Sequence, residues 1–148
     1  MTADPDGTPS GPAGAGGPSG PARFGGRGDV TLVVVLDCAD LDRSAAFWAA
    51  VLGYRAGPVG SGPYRQLLPA DGNGIELLLQ RVPEPKTTKN RLHLDLRVPD
   101  LDAELARLEA LGVRRVTAEP IHEAGWTWHI LADPDGNEFC VLQPPRHD

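Results

Sequence analysis

Residues 93–114 read HLDLRVPDLDAELARLEALGVR, and an earlier stretch with the same layout, residues 33–54, reads VVVLDCADLDRSAAFWAAVLGY. Each copy contains a strand-like run, an Asp-Leu-Asp, a helical stretch and a glycine. The first Asp of the tripeptide is a favourable helix N-cap, and the glycine stands where a left-handed C-terminus is expected. Apolar residues recur at helical spacing in both copies, so both helices should lie on a sheet.

A second repeat follows each helix. The tripeptide Asp-Gly-Asn occurs at residues 71–73 and again at residues 135–137, each time before an aliphatic run. Such steps between alternating runs are typical of hairpin turns, so we interpret Asp133 and Asp135 as turn-forming residues. Each half then reads β-α-β-β-β. The expected strands are 30–37, 54–57, 64–69 and 75–80 in the first half, and 91–98, 114–118, 126–132 and 138–142 in the second.

The two halves should combine into one domain, because neither has enough apolar residues for a core of its own. We therefore predict an α+β fold in which two βαβββ modules, residues 30–81 and 91–143, form a curved, cup-shaped mixed β-sheet with the helices on the outside. The domain should span residues 29–148. Residues 1–28 contain nine Gly and five Pro, a composition that predicts a disordered tail.

Composition excludes several classes of partner. The chain has 148 residues with a net charge of -6, and it has no run of Lys or Arg, so neither nucleic acid nor an anionic membrane is an expected partner. It also lacks an eighteen-residue apolar stretch and the pattern of a signal peptide. We expect a soluble, cytoplasmic protein that binds a small molecule, with Cys38 and Cys140 as free thiols.

The expected strand 91–98 has two different faces. Its even-numbered residues are aliphatic and should pack under the helices, whereas its odd-numbered residues are charged or polar. The corresponding positions in the first copy are too apolar to face bulk water. The charged face is therefore predicted to line the inside of a cup; its members are Arg91, His93, Asp95 and Arg97, with Val33, Val35 and Asp37 from the first module.

These features resemble the vicinal oxygen chelate superfamily, which includes glyoxalase I, bleomycin resistance proteins, extradiol dioxygenases and methylmalonyl-CoA epimerase. The resemblance rests on the paired modules, on Asp-Leu-x-x-Ser-x-x-Phe-Trp at residues 40–48, on the strand that carries His93, and on DPDGNEFCVL at residues 133–142. The chain is more narrowly similar to bacterial glyoxalase-like members. The resemblance covers residues 30–143 and implies that ligand binds on the concave surface.

The resemblance also implies four metal-ligand positions, which fall on Val33, Glu76, His93 and Cys140. The family pattern has His, Gln or Glu at the first position and a carboxylate at the last. Valine has no donor atom, and a thiolate disfavours the hard ions that the fold often carries. No cofactor is required by the sequence, and a divalent metal held by His93 and Glu76 is an option.

His93 and Glu76 form the predicted catalytic pair if they meet across the cup. Histidine is a suitable base for proton abstraction next to a carbonyl. In the alternative interpretation, His93 is hydrogen-bonded to Asp95 or Glu76 and only lines a binding pocket. Glu76 is then a structural carboxylate paired with Arg91 or Arg97.

Other side chains are predicted to contact the ligand. Trp126 and Trp128 share one strand face, which is either a stacking platform in the cup or part of the core. Glu138 shares a face with Cys140, which we interpret as a small apolar filler. The predicted substrate-binding residues are Val33, Asp95, Arg97, Trp128, Glu138 and Cys140.

Two functions follow from the resemblance. The first is a lyase or isomerase that acts on a small oxygenated metabolite by proton transfer, through an enolate-like intermediate. The second is a metal-free protein that sequesters a small molecule, as the bleomycin-resistance relatives do. In either case a homodimer is expected, since family members commonly pair edge to edge and the short strands near residues 54–57 and 114–118 offer such edges.

Overall fold

The computed structural model describes residues 30–145, and the tail predicted for residues 1–28 lies outside them. The fold is α+β, with eleven elements in the order β-α-β-β-β and β-α-β-β-β-β. The bounds are β1 Val33–Cys38, α1 Leu41–Leu52, β2 Tyr54–Ala56, β3 Tyr64–Pro69, β4 Glu76–Arg81, β5 Asp95–Arg97, α2 Leu101–Ala110, β6 Arg114–Arg115, β7 Ile121–Glu123, β8 Trp126–Ala132 and β9 Glu138–Gln143.

Each module forms its own mixed sheet. The first sheet has the strand order β1-β4-β3-β2, with β1 parallel to β4. The second has the order β5-β9-β8-β6, with β5 parallel to β9, and β7 adds a short hairpin to β8. The predicted α+β architecture of paired modules is confirmed, although the cup consists of two open curved sheets rather than one.

The helices begin and end where their capping residues predict. The carboxylate of Asp40 accepts a hydrogen bond from the backbone N–H of Arg43 at 2.9 Å, and Asp100 accepts one from the backbone N–H of Ala103 at 3.0 Å. Gly53 ends α1 with a φ of 67°, a left-handed conformation that glycine adopts without steric cost. None of the helices in residues 30–145 has the length and apolar character needed to span a bilayer.

One hydrophobic core is shared by both modules. It contains residues from both helices and from the helix-facing side of both sheets, including Leu79 of the first sheet and Val141 of the second. The indole of Trp48 in α1 lies 5.1 Å, between ring centroids, from the ring of Phe139 in β9. Burial of these large side chains therefore stabilises the two modules together rather than separately.

The turn at residues 133–137 holds the second module against the start of α1. Asp135 accepts hydrogen bonds from the backbone N–H of Ala39 at 2.9 Å, from Nη2 of Arg43 at 2.9 Å and from Oγ of Ser44 at 2.7 Å. Buried Asp133 accepts one from Nε1 of Trp48 at 3.0 Å. The two carboxylates therefore do more than form the predicted turn, because they also join the modules.

The strand predicted for residues 91–98 is shorter in the structure. Only Asp95–Arg97 pairs with β9, and His93 lies in irregular chain just before it. Before β5, the pairing continues only as a hydrogen bond from the backbone N–H of Cys140 to the carbonyl oxygen of Leu94 at 2.8 Å. The strand predicted for residues 114–118 is likewise reduced to Arg114–Arg115.

Candidate functional site

The cup face of the second sheet is the face opposite α2. Cys140 pairs with Asp95 on one side and with Ile130 on the other, and these three side chains form one row across the sheet. The next row is formed by Arg97, Leu142 and Trp128. Neighbouring residues in each strand, such as Val141 and Leu131, point the other way into the core.

Three donor side chains meet on this face. Nδ1 of His93 lies 2.9 Å from Oδ1 of Asp95 and 3.9 Å from Sγ of Cys140. One donor atom from each of these residues lies within 4.8 Å of a donor atom from each of the other two. Among residues 30–145, this is the cluster of His, Cys, Asp or Glu side chains that is close enough together to hold a metal ion. The side chains of His93 and Asp95 are each 43% exposed, so a ligand can reach them.

The contact between His93 and Asp95 orients the imidazole. When Nδ1 carries the proton, it donates to the Asp95 carboxylate and leaves Nε2 as a proton acceptor. An imidazole held in this way is suited to removing a proton from a bound molecule. This is the arrangement that our alternative interpretation of His93 described, and it also serves proton transfer.

The Cys140 thiol is held in its neutral form. Burial, together with the negative charge of Asp95 and a hydrogen bond to it, raises the pKa of Cys140 to about 11. A thiol with that pKa is protonated at neutral pH and is a poor nucleophile. Cys140 would become a ligand only if a metal ion displaced its proton.

Glu76 lies on the cup face of the first sheet, where it pairs with Val33. It is not a member of the group formed by His93, Asp95 and Cys140. It also does not line the cleft between the modules, which has His93 in its wall. Among residues 30–145, no hydrogen bond or ion pair joins Glu76 to His93, and their role as a catalytic pair stays a prediction.

The strand register differs between the two modules. The repeat relates Val35 to Asp95, but their strand partners, Leu78 and Cys140, are not related by the repeat. The sequence repeat instead relates Cys140 to Glu76, which lies two residues before Leu78. In the first module, Glu76 pairs with Val33, which the repeat relates to His93. In the second module, the register places Glu138 opposite His93. Glu138 therefore takes the place of Glu76, two residues before the position that the sequence repeat indicates.

Glu138 holds the linker between the modules. Its carboxylate accepts hydrogen bonds from Nζ of Lys86 at 2.9 Å and from the backbone N–H of Asn90 at 3.0 Å. The hydrogen bond from Lys86 makes the largest contribution to lowering the pKa of Glu138 below its ordinary value. Glu138 is therefore committed to the linker and is less available to a ligand than the sequence predicts.

A cleft of about 680 Å³ lies between β1, the linker and the start of β9. Both modules contribute to its walls, and the cleft is large enough for a small metabolite. Of the predicted site residues, His93 and Glu138 line it, whereas Val33, Arg97 and Trp128 do not. Its polar lining includes Asp37, Gln80, Lys86, Lys89, Asn90, Arg91, His93, Asn137 and Glu138.

The donor set does not suit the hard metal ions of the fold. Val33 offers no donor atom, and Glu76 is outside the group of donors. The remaining nitrogen, oxygen and sulfur donors of His93, Asp95 and Cys140 match the ligands of a tetrahedral Zn²⁺ site with one open position. Such an ion would act as a Lewis acid towards a bound oxygen.

Sequence reasoning missed the hairpin formed by β7 and β8. Its turn contains Ala124, with a φ of 49°, and Gly125, with a φ of 82°. The hairpin places Trp126 and Trp128 on the cup face, one of the two placements that the sequence left open. The Ala-Gly pair between the short alternating runs IHE and WTW was the available signal.

Comparison with known proteins agrees with this architecture. The profile of a family described as "Glyoxalase-like domain" matches residues 33–142, which is more than half of the chain. Among curated proteins, none matches the sequence significantly. The chain therefore belongs to the glyoxalase-like domain family.

Solved structures show the same fold at low sequence identity. A glyoxalase/bleomycin resistance protein/dioxygenase family enzyme from Burkholderia phytofirmans PsJN is 18% identical, with a TM-score of 0.61, over 75% of this chain and 95% of that one. A mutant of the fosfomycin resistance protein FosX from Listeria monocytogenes, complexed with Mn(II) and 1S,2S-dihydroxypropylphosphonic acid, is 16% identical, with a TM-score of 0.63, over 76% and 88% of the two chains.

Proposed function

We propose that the chain binds a small oxygenated metabolite in the cup and catalyses proton transfer on it, as a lyase or isomerase. His93 is the acid–base group and Asp95 is its positioning residue. A divalent metal is optional: Zn²⁺ is the ion that the donor set favours, and with it bound His93 would be a ligand rather than the base. The observation that carries the proposal is the 2.9 Å contact between Nδ1 of His93 and the Asp95 carboxylate on an accessible face.

The accessibility of this pair supports a chemical role. An acid–base group must be reachable by the molecule on which it acts, and the side chains of His93 and Asp95 are each 43% exposed. His129, by contrast, is 3% exposed and its Nδ1 lies 3.1 Å from the Thr117 hydroxyl on the helix-facing side. The two histidines therefore lie in different environments, and only His93 can meet a ligand in the cup.

Solvent exchange tests the proposal. Pyruvate, hydroxyacetone and lactaldehyde are incubated in D₂O with the protein, with and without Zn²⁺, and proton NMR follows the exchange of their carbon-bound protons. We expect exchange that is lost in His93→Gln and slowed about 10- to 100-fold in Asp95→Asn, which would lose the orientation of the imidazole. His122→Gln is the matched control, because His122 bonds Thr127 outside the cluster.

The pH profile separates a positioning role for Asp95 from a structural one. Asp95→Asn should change the pH dependence of the exchange rate, whereas a merely loosened fold would lower it equally at every pH. Exchange that proceeds at the wild-type rate in His93→Gln would refute the proposal.

A metal-free binding protein is the second candidate. It is favoured by the two donors missing from the implied ligand set, since Val33 cannot ligate and the Cys140 thiol is protonated at neutral pH. Metal analysis of protein purified without a chelating tag distinguishes the two functions. A stoichiometric ion that is lost in His93→Ala supports the enzyme, whereas absent metal, absent exchange and tight ligand retention support the binder.

We also propose a homodimer. β2 and β6 are terminal strands of their sheets, and each leaves one edge without a strand partner among residues 30–145. Such edges pair readily with a second copy. Size-exclusion chromatography with light scattering should give twice the 15.7 kDa chain mass, and a monomer would refute this inference.

A cytoplasmic location is part of the same proposal. Cys38 and Cys140 are both free and buried, which suits a reducing compartment. Fractionation of the source cells, with the protein detected by antibody, tests it.

A further inference from the structure

A depression of about 310 Å³ lies on the cup face of the second sheet, beside the donor cluster. Its floor is Leu142 of β9, and two indoles from β8 stand around it. Its remaining lining comes from Arg97 and from the β7–β8 turn. The full set is Arg97, Glu123, Ala124, Trp126, Trp128 and Leu142.

The indoles make this depression suited to a flat ring. Trp126 and Trp128 are each partly exposed rather than packed into the core. Partly exposed indoles offer large apolar faces on which an aromatic ligand can stack. A volume of about 310 Å³ accommodates one ring with its substituents, at the small end of the range for ligand pockets.

Arg97 supplies the polar contact of the depression. Its guanidinium carbon lies 5.1 Å from the centroid of the Trp126 ring. A guanidinium stacked on a ring keeps its N–H groups at its edge, where they can bind a carboxylate. None of the ion pairs formed within residues 30–145 includes Arg97, so its charge is available to a ligand. Glu123 faces the same depression and disfavours a second anionic group.

The depression and the donor cluster are neighbouring rows of one sheet. Arg97 follows Asp95 by two residues in β5, and Leu142 follows Cys140 by two residues in β9. Two residues of strand span about 7 Å. A ligand of that length can therefore contact the indoles and His93 at the same time.

We propose that the substrate is a small aryl-substituted carboxylic acid of the 2-oxo acid type. The ring lies against Trp126 and Trp128, and the carboxylate binds Arg97 in the same row of the sheet. This assignment rests on the proposed function of the cup and names its substrate class. Trp126, Trp128 and Arg97 are then the residues that determine specificity.

Phenylpyruvate and pyruvate test the assignment, because they differ only by the ring. Isothermal titration calorimetry should give phenylpyruvate an affinity at least about 10-fold above that of pyruvate. Trp126→Ala and Trp128→Ala should each reduce the affinity for phenylpyruvate about 5- to 10-fold and leave pyruvate unchanged. Trp126→Phe and Trp128→Phe, which keep a ring, should retain part of the preference and show that the site is folded.

Arg97→Gln should weaken both acids about 10-fold or more, because both carry the carboxylate. Arg114→Gln is the matched control: Arg114 is an exposed arginine on β6 of the same sheet, and its loss should change neither affinity. Circular dichroism and the urea midpoint of each variant confirm that it is folded.

The outcomes separate this inference from the proposed function. Equal affinity for the two acids, or a preference that survives both Trp→Ala variants, overturns the aryl subsite even if proton exchange at His93 is observed. Binding that needs the indoles and Arg97, without any exchange, supports the subsite and refutes catalysis. Absence of binding by either acid overturns the substrate class, and exchange of hydroxyacetone then tests the proposed function alone.

Discussion

Replacement of Asp135 by alanine should destabilise the protein far more than the same change in the matching turn of the first module. The tripeptide Asp-Gly-Asn occurs in both modules, with Asp71 in the position of Asp135. Asp71 is exposed and accepts a hydrogen bond from the backbone N–H of Asn73, two residues along the chain. Asp135 instead accepts three hydrogen bonds from the start of α1 in the other module.

The expected loss follows from the three donors. The Ser44 side chain is 0% exposed, so its hydroxyl would lose a buried partner at a cost of about 1–3 kcal/mol. The backbone N–H of Ala39 loses a charged acceptor that is worth about 1 kcal/mol. Arg43 is half exposed, so its ion pair adds less than about 1 kcal/mol. The sum is about 2–5 kcal/mol.

Urea unfolding measures the difference, with the fluorescence of the tryptophans as the probe. A loss of about 2–5 kcal/mol lowers the urea midpoint by about 1–2.5 M for a domain of this size. Asp71→Ala is the matched control and should leave the midpoint close to that of the wild type. Ser44→Ala in the Asp135→Ala background should cost less than Ser44→Ala alone, because the two groups are direct partners.

Equal midpoints for Asp135→Ala and Asp71→Ala would refute the reasoning. That result would mean that both tripeptides act only as turns and that the contact between the modules rests on the shared core. Additive effects of the Ser44 and Asp135 substitutions would likewise contradict the direct hydrogen bond.

Three further predictions follow from single residues. Iodoacetamide should modify Cys140 slowly at pH 7 and faster as the pH approaches 11. Asp95→Asn should speed the reaction, because it lowers the pKa of the thiol. Peptide mass spectrometry measures the extent of modification. The pKa of Glu138 is lower in the folded protein than in the unfolded chain, so the ionised carboxylate stabilises the fold at pH values above the unfolded pKa of about 4.3. This stabilisation is lost as the pH falls through the folded pKa. In urea titrations, Glu138→Gln should therefore be less stable than the wild type at pH 7, and the difference should shrink at pH 3. Gly74→Ala should destabilise the folded protein by about 1–3 kcal/mol in thermal melts. Gly74 has a φ of 152°, and a Cβ at this position would lie 2.6 Å from Cγ of Pro69. An unchanged melting temperature would contradict this steric argument.

The architecture could be predicted because the signals that encode it are local. An N-cap aspartate bonds a backbone N–H three residues later, as Asp40 and Asp100 do. Alternation along a strand likewise depends on neighbouring residues, so the faces of β4 and β9 were predictable. The length of β5 was not, since it depends on pairing with β9, a strand from the other end of the module.

The candidate site could be predicted only in part. His93 and Asp95 are two residues apart, so their contact was one of the alternatives that the sequence offered. The different register of the second module was not foreseen, because the repeat that relates Glu76 to Cys140 does not determine how the last strand pairs with the first. A shift of two residues keeps every side chain on its face and therefore leaves no trace in the pattern of alternation.

The sequence by itself determined the two modules, the positions of their helices and the faces of their strands, since each depends on contacts within a few residues. Only the tertiary structure decided the strand register, the partners of Asp135 and Glu138, and the placement of Trp126 and Trp128 beside Arg97 on the cup face. These features depend on pairing and packing between residues far apart in the chain, and many pairings are compatible with the same local pattern.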